Sequence, residues 1–409
     1  MWHVNVRLVV KNNIGEKRKG KMKLRTIDYN SVRGKNVLLR VDFNVQIVDG
    51  KILDAFRIEQ SMPTINKLRE SGARVVLCAH LGRPKGAHVP ELSLRPVAEY
   101  MKIPFVDDCL DKKFMMTMRD GDIVLLENVR FYAGEEENDD AFAKKLADGF
   151  DLFVNDAFAV SHRAAASTLG VAKILPSFAG ELLQAEVLNI SRIMENPKRP
   201  LLAIVGGAKV SSKIGVLKTL CKMADTVIVG GAIGTTFNYA CGASVGNSLY
   251  EPDMVDVARE IMKIAADNEC KFLMPIDKGV GTKFEPSAQR TNKSIDEIAD
   301  TDVIIDDGAM TTLRNMGEIE KAAMVVWNGT VGMAEWGEIW GDSSFAIAYQ
   351  IAKCTKAGNL VSIVGGGETV AALDATGVRD DITYVSTGGG AFLEFIEKGT
   401  LPAIEVLAV

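Results

Sequence analysis

The chain has no apolar run long enough to cross a membrane, no CxxC pair, no Walker A loop and no excess of positive charge. Each absence removes a class of function. A membrane helix needs roughly 20 consecutive apolar residues, so no membrane association is expected. Cys78, Cys109, Cys221, Cys241, Cys270 and Cys354 are scattered, several of them in apolar, strand-like runs. They read as reduced thiols of a cytoplasmic protein, not as a disulfide frame or a zinc site. The net charge of −5 argues against nucleic acid as a bulk partner. A secretory signal is also missing. Residues 1–21 run from a short apolar patch broken by Arg7 into Lys17-Arg18-Lys19-Gly20-Lys21, the reverse of the order a signal requires. They are expected to form a disordered extension, with folded sequence starting at Met22.

What remains is a globular composition, 47% hydrophobic and 25% charged over 409 residues. That length favours two domains.

The stretch Arg40–Gly86 organises the first half. Val37–Val41 and Val75–Ala79 are short, β-branched runs bounded by turn residues, and Glu59–Ser71 between them carries Met62, Ile65 and Leu68 at helical spacing. This is a βαβ unit. Asp42, Asn44, His80 and Arg83 follow the strands at their C-terminal ends, the edge where open α/β sheets bind ligands, and Arg57 lies in the connection. Further strands are expected at Ile123–Leu126 and Leu152–Asn155, with helices at Leu94–Met101 and Asp139–Gly149. These strands bring Arg130, His162 and Arg163 to the same edge. Arginine forks suit phosphate or carboxylate oxygens. With few acids nearby in sequence, the arginines read as an anion site. The alternatives are that Asp42 and Asn44 form a turn, that residues 83–86 are a solvated loop, and that His162 is a hydrogen-bonded edge residue.

A long amphipathic helix, Glu181–Asn196, ends at Pro197 and Pro200 and marks the junction. A second strand–helix series follows. Leu201–Val205 runs into Gly206-Gly207-Ala208-Lys209-Val210-Ser211-Ser212-Lys213, where glycines and a helix N-terminus would admit a phosphate. Lys209 and Lys213 are expected on one side of that helix's first turns. Thr226–Val229 leads to the cluster Gly230–Gly234, which lacks the G-x-G-x-x-G spacing and suits close packing as well as a dinucleotide. Further strands are expected to end at Pro275-Ile276-Asp277, Ile305–Gly308, Trp327-Asn328-Gly329 and Val364–Thr369. Gly365-Gly366-Gly367 precede a helix over Thr369–Ala375. Glu368 at its mouth suggests Mg²⁺, which takes one or two carboxylates plus phosphate oxygens, although an acid there also complements the helix dipole. Ser386-Thr387-Gly388-Gly389-Gly390 is a further phosphate loop or a hinge.

RVDFNV (40–45), HLGRPKG (80–86), LLENVRF (125–131), GGAKVSSKI (206–214), WNGTVGMAEW (327–336), GGGETVAAL (365–373) and STGGGAFLEF (386–395) together resemble the phosphoglycerate kinase family from about Met22 to the C-terminus. The resemblance implies an α/β fold of two Rossmann-like αβα domains with mainly parallel sheets, joined by a long helix and a hinge. Residues 22–186 would bind 3-phosphoglycerate or 1,3-bisphosphoglycerate, with 396–409 packing back on them. Residues 187–395 would bind ADP or ATP with Mg²⁺. By motif match, Asp42, Asn44, Arg57, His80, Arg83, Arg130 and Arg163 bind the acid. Gly207, Ala208, Lys209, Lys213, Asn328, Glu335, Gly366, Gly367, Glu368 and Thr369 bind nucleotide, with Glu368 on the metal. Arg57, Lys209, Gly366 and Gly389 serve the moving phosphoryl group. A cytoplasmic monomer that bends at 181–194 and 386–390 is implied. Gln46, Ala165, Thr330 and Glu368 depart from the family's usual proline, histidine, proline and aspartate. Two rivals are a dehydrogenase, suggested by the Gly230–Gly234 cluster, and a non-catalytic nucleotide-binding relative of the kinases.

Overall fold

The computed structural model describes residues 22–409. The extension expected over residues 1–21 lies outside them.

In the first half, β1 (Asn36–Arg40) is followed by a short hairpin of β2 (Ile47–Val48) and β3 (Lys51–Ile52). Asp49 and Gly50 turn it with φ of 49° and 72°, the positive pair that two-residue hairpins demand. Then come β4 (Arg74–Cys78), β5 (Phe105–Val106), β6 (Ile123–Leu126), β7 (Leu152–Asn155) and β8 (Ser177–Ala179). All except the hairpin join one sheet in the order β5-β6-β4-β1-β7-β8, and every pair is parallel. Side chains alternate between its faces. Val37, Leu39, Val75 and Leu77 pack against Ile65 and Leu68 of the helix Phe56–Glu70. Leu38, Val76 and Phe153 pack on the other face with Leu146 of the helix Asp140–Ala147. A parallel sheet covered on both faces needs such continuous apolar runs.

The second half repeats the plan. β9 (Leu201–Val205), β10 (Thr226–Val229), β11 (Lys271–Leu273), β15 (Met324–Asn328), β16 (Val361–Gly365) and β17 (Tyr384–Val385) form a second parallel sheet, ordered β11-β10-β9-β15-β16-β17. Between β11 and β15 the chain makes a separate antiparallel sheet from β12 (Asp277–Gly281), β13 (Thr291–Ser294) and β14 (Val303–Asp307), with β12 in the middle. This corrects the expectation that a strand ends at Pro275-Ile276-Asp277, because Asp277 opens a strand. β14, Val-Ile-Ile-Asp-Asp, is the strand expected to end at Ile305–Gly308; the other two gave no apolar signal, since β13 is Thr-Asn-Lys-Ser and β12 is Asp-Lys-Gly-Val-Gly. Lys278 of β12 pairs with Asp307 of β14 at 2.8 Å, both fully buried.

In each large sheet the first strand lies centrally. The chain fills one side of it first, with β4, β5 and β6 in one sheet and β10 and β11 in the other, then returns to build on the other side. The reversal falls between β1 and β7 in one sheet and between β9 and β15 in the other. A crevice opens at such a reversal, beyond the strands' carboxyl ends.

The helix Glu181–Glu195 joins the halves. Leu182, Leu183, Glu186, Val187, Ile190 and Ile193 are its buried positions, one face at helical spacing. The carboxylate of Glu186 is buried yet satisfied. It accepts from Ser386 Oγ at 2.8 Å and from Thr387 N and Thr387 Oγ1, both at 2.7 Å. A second join is Arg379, whose guanidinium lies 4.5 Å from the centre of the Phe56 ring and 3.9 Å from Asp54. The C-terminus returns to the first half, where Arg25 N donates to Leu407 O at 2.9 Å and Val409 N to Lys23 O at 2.8 Å.

Several element edges differ from the sequence reading by one to three residues. The first helix, for example, starts at Phe56 instead of Glu59, because Asp54 Oδ1 accepts from Phe56 N at 2.9 Å and turns the chain early.

Asp156, just past β7, is buried and accepts from Leu183 N at 3.0 Å, at the start of the joining helix. Its other oxygen has no partner among the described residues. Gly180 is obligatory beside it, since a Cβ there would lie 2.3 Å from Asp156 Oδ1. Burial raises the Asp156 carboxyl to about 7. The unfolded group ionises near 3.8, so the folded form holds an extra proton between these values. Its stabilising contribution is complete below about pH 4 and is lost as pH rises to about 7. Asp156→Asn should remove this loss, gaining about 1–3 kcal/mol on the parent between pH 5 and 7. Urea midpoints of both proteins at the two pH values measure it.

Candidate active site

At the reversal of the first sheet, Arg40 ends β1 and is buried. Its Nε donates to Ser167 Oγ at 2.8 Å, one guanidinium nitrogen reaches Val41 O at 2.5 Å, and the other lies 3.2 Å from His80 Nδ1. Asp42 follows and does two jobs. Its Oδ1 accepts from Asn44 N at 3.0 Å, and its Oδ2 pairs with Arg57 at 2.5 Å. Asn44 Oδ1 in turn accepts from Gly82 N at 2.9 Å, tying the loop after β1 to the loop after β4. The turn reading of Asp42 and Asn44 therefore holds, and Asp42 also orients Arg57.

Arg130 is nearly buried. It donates to Gly82 O at 2.7 Å and lies 3.5 Å from Glu136, which is also 3.8 Å from Arg163. The arginines are thus not without acids. Asp42 and Glu136 stand among them, which corrects the expectation from sequence. Glu136 was missed because it sits in a separate short helix, Ala133–Glu136, brought in by folding. Arg40 was missed because it belongs to the strand itself. Arg83 and Arg163 are exposed, and Arg83 has no ion-pair partner among the described residues. His162 is half-buried, with Nε2 accepting from Arg163 Nε at 3.3 Å.

His80 is buried at the centre. Burial pushes its imidazole well below the usual value, and Arg40, Arg130, Arg57 and Arg163 push it in the same direction. It is neutral at physiological pH. So many guanidiniums around an uncharged ring leave a surplus of positive charge that an anion would neutralise.

At the reversal of the second sheet, the loops after β9 and β15 cross in contact. A Cβ on Gly206 would lie 2.1 Å from Thr330 O, and one on Gly329 would lie 2.3 Å from Gly206 O. Gly207 and Gly329 have φ of 119° and 90°, in the region that favours glycine. Lys213 fills the space beside them. Its Nζ donates to Gly206 O at 2.6 Å and Asn328 Oδ1 at 2.8 Å. Asn328 Nδ2 donates to Gly365 O at 2.7 Å, and Gly329 N donates to Thr369 Oγ1 at 2.7 Å. One network therefore ties the ends of β9, β15 and β16. Burial lowers the Lys213 ammonium to about 8, and the charge of Glu368 opposes that shift.

Lys209 and Lys213 do not lie on a helix's first turns as expected. The helix begins at Ile214. Val210 is fully buried and anchors a turn, with Lys213 N donating to Val210 O at 2.8 Å. Ser211 is held by Glu251, through N at 3.0 Å and Oγ at 2.5 Å. Lys209 and Ala208 are left exposed while Lys213 turns inward. The glycine helix starts at Gly367 with Gly366 before it, φ 104°. Glu368 thus stands in its first turn and is exposed, as is Glu335 in the neighbouring turn Ala334–Trp336. Gly389 precedes the helix Gly390–Lys398 and has open space around it, whereas a Cβ on Gly388 would lie 2.5 Å from the Phe158 ring of the other half. The Gly230–Gly234 cluster serves packing, since a Cβ on Gly230 would lie 2.4 Å from Val331 and one on Gly234 2.9 Å from Pro275.

The Gly329→Ala substitution should destabilise the protein by about 1–3 kcal/mol, the cost of strained backbone, because the added carbon also lies 2.7 Å from Lys213 Nζ. Denaturant melts measure it; an unchanged midpoint would show that the crossing loops relax freely.

A family model described as phosphoglycerate kinase matches residues 27–399. A phosphoglycerate kinase of Mesorhizobium japonicum is 46% identical over 390 residues, covering 93% of this chain and 98% of that protein. One from Brucella abortus is 43% identical, covering 94% and 100%. Among solved structures, phosphoglycerate kinase from Coxiella burnetii is 41% identical with a TM-score of 0.82, covering 94% of this chain and 99% of that one. The Pyrococcus horikoshii enzyme is 28% identical with a TM-score of 0.81, covering 94% and 98%.

Proposed function

The chain belongs to the phosphoglycerate kinase family, and from that premise we propose how its own residues carry the family's reaction. The protein is a phosphotransferase of glycolysis and gluconeogenesis. It moves a phosphoryl group reversibly between 1,3-bisphosphoglycerate with ADP and 3-phosphoglycerate with ATP. The observation that carries the residue assignment is the pair of crevices in one chain, one lined by arginines around a neutral histidine and the other by glycines around a buried lysine.

Arg57, Arg83, Arg130 and Arg163 bind the acid substrate, with Asp42, Asn44 and His80 holding the arginine site in shape. Gly207, Ala208, Lys209, Lys213, Asn328 and Glu335 bind nucleotide, and Gly366, Gly367 and Thr369 bind its phosphates. Residues 22–186 with 396–409 form the acid-binding domain and 187–395 the nucleotide-binding domain. The free cysteines support a cytoplasmic protein, which we assign as a monomer. Among the described residues, no helix is long and apolar enough to cross a membrane.

A substrate carboxylate attacks the terminal phosphorus in line. It is ionised at neutral pH, so no general base is required, and the neutral His80 need not accept a proton. What the chain supplies is position and charge. Arg57, oriented by Asp42, and Lys209 meet the equatorial oxygens of the moving phosphoryl, helped by backbone N–H groups of the Gly366 and Gly389 loops. The family is generally Mg²⁺-dependent, and the donor set fits that ion. Glu368 is an exposed hard-oxygen ligand in a helix's first turn, and one carboxylate suffices where phosphates complete the shell. Bound there, Mg²⁺ supplies neutralisation of phosphate charge. Thr330, where the family has proline, keeps the carbonyl that crosses Gly206. Closure about 181–194 and 386–390 brings the substrates together and expels competing water.

The direct test is ADP formation from ATP, with 3-phosphoglycerate and Mg²⁺ each present or omitted. Turnover should need both. Nucleotide binding without turnover would instead support a non-catalytic relative. Arg57→Ala should lower kcat by at least a hundredfold with a much smaller change in KM; equal losses would remove Arg57 from the transferring group. Lys213 is charged below about pH 8 and loses its proton above it. ATP affinity should therefore fall between pH 7 and 9, and Lys213→Met should flatten that dependence, as read by calorimetric titration.

A further inference from the structure

Away from both crevices, three sulfur atoms meet at the surface. Cys241 follows the helix Gly231–Ala240, Met262 lies on the helix Val255–Asp267, and Met274 follows β11. Cys241 Sγ lies 3.7 Å from Met262 Sδ and 4.0 Å from Met274 Sδ. Packing accounts for the two thioethers, which border the apolar cluster of the second half. The thiol is exposed and turned toward both sulfurs, either of which can accept its S–H.

The spacing has a chemical meaning. A first-row metal–sulfur bond is about 2.3 Å, so three sulfurs placed trigonally around one ion stand about 4.0 Å apart. Of the two distances from Cys241, 4.0 Å equals that edge and 3.7 Å falls just short of it. The donors are one thiol and two thioethers, the soft set that selects copper(I) over harder ions. Zinc would want further nitrogen, oxygen or thiolate ligands, and no group of three His, Cys, Asp or Glu side chains suited to a metal occurs among the described residues. Charge agrees. One thiolate cancels a monovalent ion, while a divalent ion would leave net positive charge beside Arg259, whose Nε donates to Ala240 O at 3.1 Å. The carbonyl end of the helix Gly231–Ala240 also favours a cation.

We propose that Cys241, Met262 and Met274 bind one soft monovalent cation of the copper(I) class. On binding, the Cys241 thiol gives its proton to solvent and the sulfur takes the metal in its place. The site is independent of the kinase assignment. The same helix starts at Gly231, near the nucleotide crevice, and ends about 15 Å away at Cys241.

The test is anaerobic titration of the fully reduced protein with copper(I) against a chromophoric copper(I) chelator. The parent should take one equivalent more than Cys241→Ser, and loading should slow alkylation of Cys241 at least tenfold. The double variant Met262→Leu, Met274→Leu conserves volume and should weaken that equivalent at least tenfold, with Mg²⁺-supported kinase turnover in the absence of copper unchanged. Parent-like affinity in the double variant would reduce the site to a lone adventitious thiol. Equal uptake by parent and Cys241→Ser would show no site at all. Either result overturns the proposal. Buried Cys78, Cys109, Cys221 and Cys270 and half-buried Cys354 contribute equally to both proteins and cancel in the comparison.

Discussion

A buried carboxylate holds the two halves of this protein in register. Glu186 lies in the middle of the joining helix, without access to water, and a charge so placed is tolerated only when its oxygens are satisfied. Ser386 and Thr387 satisfy them with three hydrogen bonds. The loop that follows is fixed as a result. Gly388 is pressed against Phe158 of the first half, and Gly390 lies near His162, where a Cβ would stand 3.9 Å from Nε2. Burial raises the Glu186 carboxyl above its ordinary value, so its bonds offset the desolvation only in part. A movement of one half against the other must either keep this cluster intact and pivot on it, or expose it to water.

The two crevices answer the same problem, binding anions, in different ways. The first uses side-chain charge. Arginines crowd a histidine that stays neutral, and Asp42 and Glu136 neutralise part of their mutual repulsion without filling the site. The second uses backbone. Gly206 and Gly329 let two loops cross where any side chain would collide, and a single lysine, half discharged near pH 8 by its burial, completes it. Arginine sites tolerate solvent because guanidinium stays charged. A lysine site gains sensitivity to its surroundings, and Glu368 is the group positioned to restore the charge. The longer side chain of Glu368, set in a helix's first turn instead of a loop, keeps its carboxylate in water, free to join phosphate oxygens.

Much of this was readable before folding. Apolar runs such as Val75–Cys78, Ile123–Leu126 and Leu201–Val205 announce buried parallel strands, because a strand covered on both faces has no polar positions to confuse the pattern. Glycine runs and arginines fall at strand ends, so the edge where ligands bind was legible as well. Of the small antiparallel sheet only β14, Val-Ile-Ile-Asp-Asp, was legible; β12 and β13 were not, since they are polar and glycine-rich and are held by partners such as Asp307 that are distant in sequence. Arg40 was hidden by its place inside a strand, and Glu136 by its distance from the arginines it faces.

By itself, then, the sequence determined the periodicities, the strand ends and the residue types that gather there, because these depend on neighbours along the chain. Only the tertiary structure decided which groups meet. Lys213 turns inward and Lys209 outward because a buried Val210 makes a turn where a helix was expected. His80 is neutral because folding buries it and gathers around it arginines from a strand, a helix and two turns. Three sulfurs from three elements meet at the end of one helix. Each of these outcomes depends on contacts between residues distant in sequence, such as Glu251 on Ser211, so no reading of adjacent residues could supply them.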